Sequence, residues 1–141
     1  DIHSLGLKNT EGFLLTASWD WNLNDKSRAF GKRFFEKHNR MSTDIQAADY
    51  SATMTYLKAV KAAGTMDADA VMAKLKSTPI DDFYAKGVIR PDGRFAHDMY
   101  LMQVKSQAES TQPWDYYKLV TKLPGDQVFT SKADSKCALW K

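Results

Sequence analysis

The 141-residue chain is short of cysteine, of long apolar runs and of signal-peptide features, and each shortage excludes a class of protein. A single cysteine, Cys137, cannot form an internal disulfide or a cysteine-cluster metal site. It can be an inert thiol, a link to another chain, or half of a disulfide whose partner lies outside this sequence. No apolar run approaches the roughly 20 residues that span a bilayer. No basic start leads into an apolar stretch and a cleavage site, so we predict that the chain carries no signal peptide.

Catalytic motifs are missing as well. His3, His38 and His97 lie far apart along the chain, and none belongs to a known metal-ligand spacing. His97 and Asp98 are neighbours in a predicted strand, where adjacent side chains point to opposite faces, so we expect no catalytic dyad. Gly-rich phosphate loops are absent, and no identifiable base accompanies Cys137. We therefore predict that the protein is not an enzyme and that it uses neither a metal nor a cofactor.

The charge of the chain is weakly basic and evenly spread. Its 20 lysines and arginines stand among 17 acidic residues, so the net charge is only +3 and no long basic run appears. A nucleic-acid-binding protein usually concentrates positive charge on one face, and we expect no nucleic-acid partner. Hydrophobic residues make up 43% of the chain, which is typical of one globular domain with a real core.

The pattern of apolar residues predicts an α/β fold with pieces missing. One strand comes first, three helices follow, and two aromatic-rich strands flank a polar hairpin loop. Asn24 or Asp25 is expected to cap the first helix, Gly64 to end the second, and Pro79 to stop the third. The predicted strands are 12–17, 95–105 and 114–122, the predicted helices are about 25–38, 46–63 and 67–77, and residues 81–93 and the tail from 124 are predicted to be irregular.

Two places in this pattern are candidate ligand contacts. The triplet Trp19-Asp20-Trp21 follows the first strand, and ligands of open α/β sheets bind beyond the carboxyl ends of strands. The rings can wall an apolar ligand, and Asp20 can accept hydrogen bonds from an ammonium or hydroxyl group. The alternative is that one tryptophan fills the core and the other lies on the surface.

Asp49 and Tyr50 fall in the first turn of the second predicted helix, whose positive end suits a carboxylate. The alternative is that Tyr50 only packs and Asp49 only complements the helix dipole.

Six stretches, in one consistent order over nearly the whole chain, resemble the solute-binding proteins of branched-chain-amino-acid-type ABC importers. The stretches are Asp1-Ile2-His3-Ser4-Leu5-Gly6 before the first strand; Arg28-Ala29-Phe30 with Arg33-Phe34-Phe35-Glu36-Lys37; Tyr50-Ser51-Ala52 with Tyr56-Leu57-Lys58-Ala59-Val60 and Ala62-Ala63-Gly64; Ala68-Asp69-Ala70-Val71-Met72-Ala73-Lys74; Ile89-Arg90-Pro91-Asp92-Gly93-Arg94 with His97-Asp98-Met99-Tyr100-Leu101; and Trp114-Asp115-Tyr116-Tyr117-Lys118.

This resemblance implies the C-terminal portion of a two-lobe, type I periplasmic-binding-protein fold, in which Rossmann-like lobes joined by a hinge enclose the ligand. Matched by order, residues 1–40 are expected to end the second lobe. Residues 41–141 are expected to form the C-terminal part of the first lobe, with the hinge crossings, two helices, the β-hairpin and the tail. The resemblance also implies that Cys137 pairs with a cysteine outside this sequence. The residues expected to face the cleft are Ser18, Trp19, Asp20, Trp21, Asp49 and Tyr50.

The resemblance further implies a function. The protein would capture an amino acid or a related solute, aromatic acids included, by closure of its lobes, and would deliver it to the membrane permease of an ABC transporter in the periplasm. A ligand-sensing regulatory domain with the same fold is the alternative. Because one wall of the cleft would be missing, we expect the isolated chain to bind no solute tightly. Because half of a sheet would be exposed, we expect it to associate with a copy of itself.

Overall fold

The computed structural model describes residues 1–140, in which short helices and one strand precede three long helices and most of the β-structure. The helices are α1 (Ile2–Leu5), α2 (Leu7–Thr10), α3 (Asp25–His38), α4 (Asp44–Ala63), α5 (Ala68–Ser77) and α6 (Gly125–Val128), and a 3-10 turn covers Ala138–Trp140. The strands are β1 (Leu14–Ala17), β2 (Ile80–Asp81), β3 (Lys86–Ile89), β4 (Phe95–His97), β5 (Met99–Val104) and β6 (Tyr117–Leu123). Within the described residues, no helix is both long and apolar enough to cross a membrane.

Local capping explains where the long helices begin and end. The Asn24 side chain accepts a hydrogen bond from the Ser27 N–H at 3.0 Å at the start of α3. Gly64 ends α4 in a left-handed conformation, with a φ of 67°, which glycine adopts without strain. The predicted helices are therefore confirmed, although α4 begins at Asp44, two residues early. The Gln46 side chain accepts a hydrogen bond from the N–H of Thr43 at 2.9 Å. The helix is therefore capped at Thr43, ahead of its predicted start.

The strands form two antiparallel sheets of three strands each. Sheet A has the order β1-β5-β6, and sheet B has the order β2-β3-β4. In sheet A, Gln103 of the central strand stands opposite Leu14 on one side and Lys118 on the other. The predicted hairpin between the last two strands is therefore confirmed as β5–β6.

Three strand predictions were wrong. The predicted strand 95–105 is interrupted at Asp98, and its two halves, β4 and β5, join different sheets. Residues 81–93, predicted to be irregular, contain β3, because Gly87 permits a close approach: a Cβ there would lie 2.0 Å from the Ala96 carbonyl oxygen. The last strand begins at Tyr117 rather than at Trp114, because Trp114 has a φ of 71°, outside the extended range that a strand requires.

The two sheets belong to two assemblies. In assembly A, β1, β5 and β6 pack with one another; in assembly B, α4, α5, α6 and sheet B pack together. The core cluster of Trp19, Phe30, Ala47 and Tyr84 joins α3 and α4 to the segment before β3. The chain passes between the assemblies at three places, which we call the first crossing (residues 18–24), the second crossing (Asp98) and the third crossing (Pro124).

Candidate functional site

The first crossing carries the predicted triplet, and its first tryptophan is a core residue. Trp19 is only 2% exposed and lies edge-on to the rings of Phe30 and Phe83, with centroids 5.8 and 6.1 Å away. Its indole N–H donates to the hydroxyl oxygen of Ser27 at 3.0 Å and to the carbonyl oxygen of Phe83 at 3.1 Å. The apolar ring is thus packed, and its one polar group is hydrogen-bonded, inside the protein. Trp19 is therefore the tryptophan that fills the core, as the alternative interpretation of the triplet predicted.

Trp21 ties the first crossing to the loop between β5 and β6. Its indole N–H donates to the carbonyl oxygen of Trp114 at 3.0 Å, and its Cβ would be 3.1 Å from a Cβ added at Gly31 on α3. The ring is half-buried against the core cluster. Trp21 therefore helps to hold assembly A against α3, and only part of its surface is free.

Asp20 is the chemically unusual member of the triplet. Its carboxylate accepts a hydrogen bond from the Asn22 N–H at 2.9 Å. Burial raises the pKa of Asp20 from its ordinary value of 3.8 to about 6; the negative charge of Asp115 adds to this, while the Asn22 N–H and the Lys105 ammonium oppose it. Asp115 and Lys105 are already paired with each other at 2.6 Å. Asp20 is thus a carboxyl group that has no full counter-charge within the described residues.

Ser18 brings assembly B into the same place. Its hydroxyl donates to the carboxylate of Asp44, at the start of α4, at 3.2 Å. Burial raises the pKa of Tyr84, and the nearby carboxylates of Asp44 and Asp82 reinforce the rise. From assembly A, burial likewise raises the pKa of Tyr117, with further contributions from the charges of Asp20 and Asp44. We call Ser18, Asp20, Asp44, Tyr84 and Tyr117 the crossing cluster.

Sequence reasoning missed Asp44, Tyr84 and Tyr117. Asp44 follows Thr43 at a helix start, where an acidic residue needs no functional explanation. The two tyrosines stand in aromatic-rich segments with no motif around them. All three residues lie far from Ser18 and Asp20 along the chain. No pattern in a single sequence indicates that such distant residues come together in the fold.

Asp49 and Tyr50 lie on α4 but not in its first turn. Because the helix begins at Asp44, they are its sixth and seventh residues, beyond the unpaired N–H groups that would hold a carboxylate. Asp49 is exposed. Tyr50 is 43% exposed and packs with its ring edge toward Phe30 at 5.3 Å, with the guanidinium of Arg33 6.0 Å from its centroid. The structure does not bring these two residues into the crossing cluster, and the helix-end argument for them was wrong.

The chemistry of the crossing cluster is that of hydrogen-bond acceptance with negative charge. The cluster contains two carboxylates and three hydroxyl groups, and these groups suit an ammonium or a hydroxyl group. Within residues 1–140, no three histidine, cysteine or acidic side chains converge as metal ligands. The neighbours His97 and Asp98 engage different partners: the Nδ1 of His97 faces the carbonyl oxygen of Asp98 at 2.7 Å, and the Asp98 carboxylate pairs with Lys122 at 2.6 Å.

Comparison with known proteins identifies a close set of relatives. Residues 1–109 match the family model described as periplasmic binding protein. The crystal structure of a periplasmic binding protein from Burkholderia mallei is 57% identical over 99% of the chain, with a TM-score of 0.97. That of a branched chain amino acid ABC transporter periplasmic ligand-binding protein from Burkholderia xenovorans is 41% identical over 100% of the chain, with a TM-score of 0.96.

A more distant structure shares the fold alone. The leucine-, isoleucine-, valine-, threonine- and alanine-binding protein from Brucella ovis, in its closed conformation, is 14% identical over 97% of the chain, with a TM-score of 0.78. The chain spans only 37%, 38% and 36% of these three relatives, respectively. No curated protein matches it. The described residues therefore form part of an α/β, two-lobe fold rather than the whole of it.

Proposed function

Since the chain belongs to the periplasmic binding protein family, we propose that the protein containing it is the solute-binding component of an ABC importer. In this role the protein performs no covalent chemistry. It captures a small solute between two lobes in the periplasm and presents it to a membrane permease. The observation that carries the proposal is the crossing cluster, in which Ser18 donates to Asp44 and the charges of Asp20 and Asp44 both raise the pKa of Tyr117, where the chain passes between two assemblies. A ligand held there would contact both assemblies and would stabilise their closed arrangement.

We propose that assemblies A and B are the parts of the two lobes that this chain contributes. Strand β1 pairs with β5, so residues 14–17 and 99–104 belong to one body, whereas α4, α5 and sheet B form the other. Under this proposal the lobe boundary lies at the three crossings rather than at residue 40, where the order of elements predicted it. Segments of one to seven residues that connect two packed bodies are where a hinge absorbs its change in backbone angles.

We propose that Asp20, Ser18 and the added residues Asp44, Tyr84 and Tyr117 contact the solute, with Trp21 supporting them. Trp19 acts through the core. Asp49 and Tyr50 stay as predicted contacts at the rim, since both are exposed on α4. The negative charge of the cluster favours a solute with an ammonium group, so an amino acid is preferred over an aromatic acid that lacks an amine.

The test compares L-leucine with 4-methylpentanoate, which differs from it only in lacking the ammonium group, by titration calorimetry. We expect the parent protein to bind L-leucine at least about tenfold more tightly, because the deaminated acid leaves the partly buried carboxylate of Asp20 unpaired. Replacing Asp20 with asparagine should reduce the ratio of the two affinities, that for L-leucine over that for 4-methylpentanoate. Equal affinities for the two acids in the parent protein would contradict the ammonium proposal, and the absence of binding to any amino acid titrated in the same way would contradict the proposed preference for an amino acid.

The same titrations on the 141-residue chain should show no saturable binding. The chain covers little more than a third of its relatives, so most of the groups that would surround a solute are contributed from outside it. The parent protein serves as the positive control under identical conditions. Tight, saturable binding of L-leucine by the isolated chain would show that the crossing cluster alone is a complete site.

We propose that the isolated chain also associates with itself. Phe13 and Leu14, at the start of β1, are 60% and 61% exposed, and Leu119 and Val120 of β6 are about half exposed. Both strands are edges of sheet A, and an exposed apolar edge is a template for pairing with another chain. Sedimentation velocity should therefore show a dimer that dissociates on dilution, and Leu14→Lys should weaken it, whereas Lys58→Leu on α4 should not. A strictly monomeric profile at high concentration would remove this expectation.

A further inference from the structure

The C-terminal segment, residues 124–140, leaves assembly A and returns to assembly B. Helix α6 packs on β4, although the strand before it, β6, belongs to sheet A. The Gly125 N–H donates to the carboxylate of Asp98 at 3.1 Å, and the other oxygen of that carboxylate pairs with Lys122 at 2.6 Å. The second crossing is thus bonded to residues on both sides of the third crossing. Gly125 permits this approach, since a Cβ there would lie 2.7 Å from the carbonyl oxygen of His97.

Arg90, in the turn between β3 and β4, holds the far end of the segment. Its Nη1 donates to the carbonyl oxygen of Thr130 at 3.0 Å, and its guanidinium carbon lies 3.9 Å from the ring centroid of Trp140. The same guanidinium is oriented by Asp92, to which Nε and Nη2 donate at 3.2 and 2.6 Å. The side chain of Arg90 is only 14% exposed. One oriented cation therefore contacts the segment at two points that are ten residues apart.

A second pair of contacts lies between these anchors. The ring of Phe129 packs against His97 of β4 at 5.7 Å and under the guanidinium of Arg94 at 5.4 Å. A cavity of about 800 Å³ separates the segment from the assemblies, and its wall includes Ser18 and Met99 as well as His97. These residues flank or belong to the first and second crossings, so these two crossings and the C-terminal segment, through Phe129 and Thr130, meet around one space.

We propose that residues 124–140 act as a strap across the hinge, and that Arg90 is the positioning residue that keeps the strap closed. The strap adds a third connection to the first two crossings, and its far end is fixed on assembly B by the Arg90 contacts. It therefore limits how far assembly A swings away from assembly B. The proposal rests on the hinge in the proposed function, but it concerns the separation of the assemblies without solute, so it stands or falls independently of which solute is bound.

The test measures that separation with spin labels. In a Cys137→Ser background of the 141-residue chain, at a dilution at which it is monomeric, Thr53→Cys on α4 and Ala108→Cys in the loop between β5 and β6 place two exposed nitroxides on the two assemblies. We expect Arg90→Ala to shift the distance distribution to longer values and to broaden it, with a red shift of the tryptophan emission as Trp140 is released. Arg40→Ala removes an exposed arginine that has no hydrogen bond or ion pair with residues 1–140, and it should change neither signal.

Two further variants separate positioning from simple support of the fold. Arg90→Lys keeps the charge but not the planar, bidentate grip, so it should restore the distance distribution only in part. Trp140→Ala leaves the turn and Asp92 untouched and should shift the distribution in the same direction as Arg90→Ala. If Arg90→Ala fails to fold by circular dichroism, Trp140→Ala decides the question. An unchanged distance distribution in an Arg90→Ala variant whose tryptophan emission is red-shifted, or in a folded Trp140→Ala variant, would overturn the proposal.

Discussion

Replacement of Trp19 with alanine should lower the free energy of unfolding by about 4 kcal/mol, the cost typical of removing a buried large aromatic side chain. Trp19 is 2% exposed and contacts two aromatic rings, so its removal leaves a cavity in the core cluster. It also leaves the hydroxyl of Ser27 and the carbonyl oxygen of Phe83 without their indole donor. Urea denaturation followed by circular dichroism measures the change.

The matched control is Tyr56→Ala. Tyr56 is also aromatic, but it is 48% exposed on α4 and lies away from the exposed edge of sheet A, so its loss should change the free energy of unfolding by less than about 0.5 kcal/mol. Together the two variants decide between the two interpretations of the first tryptophan. If Trp19 were instead a wall of the ligand site, Trp19→Ala would abolish solute binding in the parent protein and leave the free energy of unfolding unchanged. A Trp19→Ala variant as stable as the wild type would show that the packing around this residue is not part of the core.

Replacement of Asp20 with asparagine should raise the free energy of unfolding at pH 7 by about 3 kcal/mol. Burial raises the pKa of Asp20 from 3.8 to about 6, so ionising this carboxyl group costs more in the folded protein than in the unfolded chain. The folded state then holds the proton more tightly, and the stability of the wild type falls as the pH rises from about 4 to about 7. Asparagine carries no charge and still accepts the hydrogen bond of the Asn22 N–H.

The pH dependence is what identifies the cause. Near pH 4 the carboxyl group is largely protonated in the folded state, so the difference between wild type and Asp20→Asn should shrink toward zero; above about pH 6 it should reach its full size. Denaturation curves at pH 4, 5.5 and 7 measure this. Asp49→Asn, on the exposed face of α4, is the matched control and should change stability by less than about 0.5 kcal/mol at pH 7. A variant that is equally stabilised, or destabilised, at all three pH values would show that charge burial is not the reason.

These two residues also indicate what each neighbour in the triplet is for. Trp19 faces the core and is expected to stabilise the protein, whereas Asp20 belongs to the crossing cluster and is expected to destabilise the protein at neutral pH. A buried carboxyl group that lacks a full counter-charge is retained against a stability cost when a ligand supplies the missing positive charge. The stability gain expected for Asp20→Asn and the loss of ammonium recognition expected in the parent protein are therefore two results of one change.

Features that depend on neighbours along the chain were readable from the sequence. The ends of α3 and α4 follow from Asn24 and Gly64, because a cap satisfies backbone groups within a few residues of itself. The hairpin β5–β6 follows from two aromatic-rich runs around a polar loop. The family could be named as well, because six short matches in a fixed order do not require knowledge of how they pack.

Features that depend on contacts between distant parts of the chain were decided only by the tertiary structure. The run from Phe95 to Lys105 is uniformly strand-like, yet it divides at Asp98, because each half pairs with a different sheet and pairing partners are not encoded in a strand's own pattern. The same reason separates Trp19 from Trp21, which look equivalent in sequence and differ only in what packs against them. Asp44 belongs to the crossing cluster with Asp20 and Tyr117 for the same reason. Helices and strands more than twenty residues apart converge through packing. The packing energy is a property of the assembled surfaces rather than of any local segment.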